Sequence, residues 1–71
     1  LAGVICFKLV PQGIEKCINR EKASLRELVE EVGDYLEDNY IVVVNGRIVE
    51  NPEYVVTSGD VVVFVSEFMG G

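Results

Sequence analysis

Residues 4–10 are almost wholly apolar and rich in β-branched or aromatic side chains, broken by Lys8, and this predicts a strand. Pro11-Gln12-Gly13 predicts a turn, because proline presets φ and glycine accepts a positive φ. Residues 14–19 read as the returning strand. Pairing Leu9 with Ile14 and Ile5 with Ile18 gathers apolar residues on one face and sets Lys8 opposite Glu15 on the other. The same register sets Cys6 opposite Cys17. A glycine bulge at Gly13 is the feature able to shift this register by one residue.

Ser24-Leu25-Arg26-Glu27 has the form of a capping box, in which a serine hydroxyl and a glutamate three residues on satisfy each other's backbone donors. Leu25, Leu28, Val29, Val32 and Leu36 follow at helical spacing and make one apolar stripe. Glu27, Glu30, Glu31 and Asp34 fall on the opposite side, where solvation is the plain reading of such a face. The helix is expected to run to about Leu36, with a break at Asp38-Asn39.

Residues 41–44 predict a strand. Asn45-Gly46 is the strongest hairpin signal in the chain, since a type I′ turn needs positive φ at both centres. Residues 47–50 predict a short return strand, 51–57 an irregular crossing segment, and Ser58-Gly59-Asp60 a turn. Residues 61–65 are apolar throughout and predict a last strand that is central and covered on at least one face. Phe64 within it reads as core or sheet surface. One domain, residues 1–71, follows: an α+β fold with a mixed sheet of four to five strands, one helix packed across it, and a flexible tail at 67–71.

Hydrophobic residues make up 49% of the sequence, which argues against disorder. Twelve acidic residues against six basic ones give a formal charge of −6. A phosphate-backbone binder or a binder of anionic membranes needs the opposite sign, so neither nucleic acid nor membrane is an expected partner. No signal-peptide pattern is visible and no apolar run reaches the length of a bilayer span, so the expected location is the cytoplasm. Two cysteines and no histidine exclude a four-ligand zinc site or an iron–sulfur cluster. With no positive field evident near them, Cys6 and Cys17 read as small, inert apolar side chains. No histidine-based acid–base constellation is available, and no catalytic residue is assigned.

The sequence closes on Phe68-Met69-Gly70-Gly71. Two glycines at the last positions arise by chance at a rate of about 0.5% at average glycine usage. Lacking side chains, they can thread a narrow channel and present the Gly71 carboxylate to another protein's active site. Phe68 and Met69 cannot easily both be buried in the domain's own core, so at least one is expected to dock on a partner.

Taken together, Ser24-Leu25-Arg26-Glu27-Leu28, Val44-Asn45-Gly46 with Val49 following, Gly59-Asp60-Val61-Val62 and Gly70-Gly71 resemble the ThiS/MoaD sulfur carriers, relatives of ubiquitin. The resemblance covers residues 24–71; residues 1–23 match in pattern alone. It implies a β-grasp fold and a carrier that is not itself an enzyme and binds no cofactor. A separate ubiquitin-activating-type adenylyltransferase would use ATP to adenylate Gly71. A sulfurtransferase or desulfurase would then supply sulfur to form a thiocarboxylate. An acceptor synthase, such as thiazole synthase or the molybdopterin synthase large subunit, would receive it. Molybdopterin-type carriers often hold a Pro-Pro pair before the diglycine, where this chain has Ser66-Glu67-Phe68-Met69, and its short length fits the thiamine type better; the thiamine branch is therefore favoured, although carriers for cysteine, homocysteine or transfer-RNA thiolation share the same plan. Two other readings share the tail: a protein modifier joined to lysines through Gly71, and an interaction domain with no such chemistry.

Overall fold

The computed structural model describes residues 3–36 and 39–66. Strand β1 (Ile5–Val10) turns at Pro11–Gly13 into β2 (Ile14–Ile18). Gly13 takes φ +77° and donates its N–H to the Leu9 carbonyl at 2.8 Å, closing the turn without a bulge. The pairs are those the apolar pattern demands: Ile5 with Ile18, Cys6 with Cys17, Lys8 with Glu15 and Leu9 with Ile14. Lys8 and Glu15 face each other across the ladder; the ion pairs among the described residues are elsewhere, Arg20–Glu27 and Arg26–Glu53.

Strand β3 (Lys22–Ser24) leads directly into helix α1 (Leu25–Val32). The capping box is complete: Ser24 Oγ accepts from the Glu27 N–H at 3.2 Å, and the Ser24 N–H donates to Glu27 Oε1 at 2.9 Å. The other first-turn donors are also satisfied, Leu25 N–H by the Tyr54 carbonyl and Arg26 N–H by the Pro52 carbonyl, both at 2.9 Å. A helix start buried against a crossing segment needs such partners. Leu25, Leu28 and Val32 are buried; Val29 and Leu36 pack against the core more loosely.

The expected helix to Leu36 is too long. After Val32 the chain tightens into a 3₁₀ turn, Gly33–Tyr35, and Leu36 is already extended. Gly33 keeps a right-handed φ of −51°, so the helix ends by tightening rather than by a left-handed cap. Leu36 reaches the core from outside the helix. Of the expected Asp38-Asn39 break, Asp38 lies outside the described residues.

Strand β4 (Tyr40–Val44) turns at Asn45-Gly46, both with positive φ (52° and 84°), into β5 (Arg47–Ile48). β5 is shorter than the expected 47–50. β6 (Val55–Thr57) follows, and β7 (Val62–Ser66) ends the described chain. The main sheet has the order β2-β1-β7-β4-β5, parallel between β1 and β7 and antiparallel elsewhere. The last strand is thus central, as its apolar run requires. Phe64 on β7 is fully buried and meets Phe7 edge to face at 5.9 Å. Five mixed strands with one helix packed across them make a β-grasp fold.

Part of the segment expected to be irregular is ordered. β6 pairs antiparallel with β3 in a separate two-stranded sheet, with Ala23 opposite Val56 and both buried. Each strand buries one residue in three, too short a run to show alternation along the chain. The pairing exists because the crossing segment passes the N-terminus of α1.

Candidate functional site

β7 is held differently at its two ends. At its start, the Asp60 carboxylate accepts from the Thr57 N–H at 2.8 Å and from Asn45 Nδ2 at 3.1 Å. Asn45 Oδ1 accepts the Val61 N–H at 2.9 Å, and the Asn45 N–H donates to the Val61 carbonyl at 2.8 Å. The β4–β5 turn is thereby pinned to the beginning of β7. The Thr57 backbone donor, then the Asn45 amide, hold the Asp60 carboxyl below the ordinary carboxylate range. Glu27 is lowered in the same direction by the Ser24 backbone N–H and then by Arg20, 2.6 Å away. The motif residues Asn45, Gly59 and Asp60 therefore act in positioning the last strand.

At its far end, β7 leaves the sheet at Ser66, opposite Tyr40. Ser66 is 5% exposed and is the one buried polar residue among the described residues. Its hydroxyl receives a 3.3 Å hydrogen bond from Gln12 Nε2, which also donates to the Tyr35 carbonyl at 3.0 Å. Gln12 on the β1–β2 turn thus ties the strand end to the turn that follows α1. Sequence reasoning did not single out Gln12, Tyr35 or Ser66. For Ser66 a signal existed: Val62 and Phe64 face the core, and period two puts Ser66 on the same face. For Gln12 there was none, since its partners lie 23 and 54 residues away.

The sheet face away from α1 is open. Register places Ile41 beside Val65 and Val43 beside Val63, with Val10 next to Val65 on the other side. These five are half-buried, and Ile48 beside Val43 is 61% exposed. Together they make a contiguous apolar sheet face. On the helix side, a groove of about 510 Å³ lies between α1 and the β4–β5 edge. Its charged lining is Glu50 and an Arg26 already engaged by Glu53, so no acid–base pair converges there.

The expected reactive residues, Gly70 and Gly71, and the expected docking residues, Phe68 and Met69, lie outside the described residues. Cys6 and Cys17 are not the separate inert side chains expected from the sequence. They are joined in a disulfide across β1 and β2, with Cα atoms 4.0 Å apart. Their register position made the bond geometrically available, and the face they share points away from the core. Among the described residues no cluster of three or more His, Cys, Asp or Glu is placed to hold a metal ion, and no helix is long and apolar enough to cross a membrane.

Comparison with curated proteins gave no match, and comparison with solved structures gave none. A family model described as ThiS family matches residues 10–71, from the end of β1 through the diglycine. With the β-grasp sheet and the match over most of its length, the chain belongs to the ThiS family of small ubiquitin-like sulfur carriers.

Proposed function

We propose that this protein carries sulfur as a thiocarboxylate on Gly71 and delivers it in cofactor biosynthesis, to a thiamine thiazole acceptor ahead of a molybdopterin one. A carboxylate is a poor electrophile until it has a good leaving group. A separate adenylyltransferase therefore joins the Gly71 carboxylate to the α-phosphate of ATP, releasing pyrophosphate. A sulfur donor, a sulfurtransferase or desulfurase, then displaces AMP. The carrier contributes the chain end and a recognition surface and catalyses no step itself. A cytoplasmic setting belongs to the same reading.

The observation that carries the proposal is the family match running through Gly70 and Gly71. Two features support it. Ser66 is held at the end of a central strand, and the five residues from 67 to 71 reach at most about 17 Å beyond it. The open apolar face, with Val65 and Ile41 nearest that strand end, gives the activating enzyme a surface to grip while Phe68 and Met69 dock beside it. Tail and face together define the substrate that the enzyme recognises.

The test is intact mass after incubation with a ThiS-activating adenylyltransferase, ATP and a sulfur donor. The expected product has gained the mass of one oxygen-to-sulfur exchange, located on the C-terminal peptide. Deleting Gly71 should abolish the gain and leave the thermal unfolding midpoint unchanged. Sulfur transfer that survives the deletion, or a diglycine remnant on target lysines with no thiocarboxylate, would overturn the proposal.

A further inference from the structure

The disulfide lies outside the hydrophobic core and bridges a hairpin that is also closed by backbone pairing. Cys17 is exposed on β2, an edge strand of the sheet, and Cys6 is half-buried on β1. Neither belongs to the hydrophobic core, which lies on the opposite face. The hairpin they bridge is already closed by five paired positions, from Ile5–Ile18 to Leu9–Ile14. Its register is fixed by Ile5, Phe7 and Leu9, all buried. Cys6 lines a shallow surface depression of about 270 Å³ whose charged lining is Lys8, Glu15 and Asp60.

We propose that Cys6 and Cys17 form a reversible dithiol–disulfide exchange site on the open face of the sheet, with a small or protein dithiol as co-reactant. In the reductive direction, a thiolate of the dithiol attacks Cys17 Sγ, the more exposed sulfur. The bond to Cys6 Sγ breaks, and Cys6 leaves with the electron pair and takes a proton from water. The second thiol of the reductant then attacks its own sulfur in the mixed disulfide, releasing Cys17. The protein gains two electrons and two protons, and the reductant becomes a disulfide. Oxidation reverses these steps. In a reducing compartment a disulfide on such a surface is transient and reports redox state.

The site is separate from the sulfur-bearing tail. Cys6 precedes Phe7, which pairs with Val62 near the start of β7, whereas the tail leaves after Ser66 at the other end. Exchange therefore alters one end of the open face and leaves the strand end in place.

The test uses the full chain equilibrated with mixtures of reduced and oxidised dithiothreitol, followed by alkylation and intact mass. Two species are expected: an unalkylated form lacking two hydrogens and a doubly alkylated form. They should interconvert with the reductant ratio, with the same far-ultraviolet circular dichroism. Permanent double alkylation in fully oxidised dithiothreitol would overturn the proposal, as would a bond that opens only after denaturation. Single variants test the point of attack. Because Cys17 is exposed and Cys6 half-buried, Cys6→Ser, which leaves Cys17 free, should form a mixed disulfide with glutathione disulfide about tenfold faster than Cys17→Ser, which leaves Cys6 free. Equal or reversed rates would overturn the assignment of Cys17 as the attacked sulfur. No readout here involves sulfur transfer, so its failure is distinguishable from failure of the carrier reading.

Discussion

The two ends of β7 are built to different standards. Its start is fixed by six hydrogen bonds among Asn45, Thr57, Asp60 and Val61, drawn from two turns and using both backbone and side-chain groups. Among the described residues, its far end is tied by one bridging side chain, Gln12, to Ser66 and Tyr35. Between them the strand is buried on one face and flanked on both edges, by β1 and β4. The contrast fits the proposed role, in which the start of the strand is the anchor and the chain beyond its far end is the part offered to a partner.

The comparison can be broken most severely in the middle. Phe64→Ala removes the ring that packs on Phe7 and Tyr40 and should cost about 3–5 kcal/mol in urea unfolding, a large part of the stability of so small a domain. Both ends would then lose their common support. A smaller change separates them. Asn45→Ala loses the amide bonds to Asp60 and Val61 and forces a residue with a Cβ hydrogen-bonding to nothing into positive φ, so we expect a loss of about 2 kcal/mol. Asn45→Gly keeps the backbone freedom and should recover part of it, which divides the loss between turn conformation and side-chain bonding.

Acid should weaken the start of the strand before its far end. The folded state holds the Asp60 carboxyl low, so the unfolded chain binds its proton more readily. The stabilisation from Asp60 is complete above the ordinary carboxylate range and is lost as pH falls through the depressed folded value. Glu27 adds a contribution of the same sign through the capping box. Thermal midpoints measured on acidification should therefore fall less steeply for Asp60→Asn than for the parent chain. Equal slopes would remove Asp60 from the account.

The smallest effect is expected at the far end. Gln12→Ala removes a partly exposed tie and should cost about 0.5 kcal/mol, with local faster hydrogen exchange at Tyr40 and Ser66 as its signature. A loss as large as that of Asn45→Ala would show that the two ends are held equally well.

Much of this architecture is legible along the chain. The capping box at Ser24, the stripe from Leu25 to Val32, the Asn45-Gly46 turn and the β1–β2 register all rest on contacts within about twenty residues. Local sterics and periodicity are sufficient to specify them. The central place of β7 follows from an apolar run that needs cover. The candidate reactive end is equally a feature of the sequence, since it depends on which residues lack side chains.

What lay beyond the sequence depends on segments distant along the chain. β3 and β6 are three residues each, and they become strands because the crossing segment satisfies the first donors of α1. The Gln12–Ser66 tie spans 54 positions. Cys6 and Cys17 could be placed opposite each other from periodicity, but the bond needed the actual approach of the two backbones. The sequence by itself determined the elements, the apolar faces and the diglycine on which the proposed chemistry rests, because these follow from neighbouring side chains. Only the tertiary structure decided how firmly each end of the last strand is held and which surface carries the sulfur pair, because hydrogen bonds and exposure depend on what folding brings alongside.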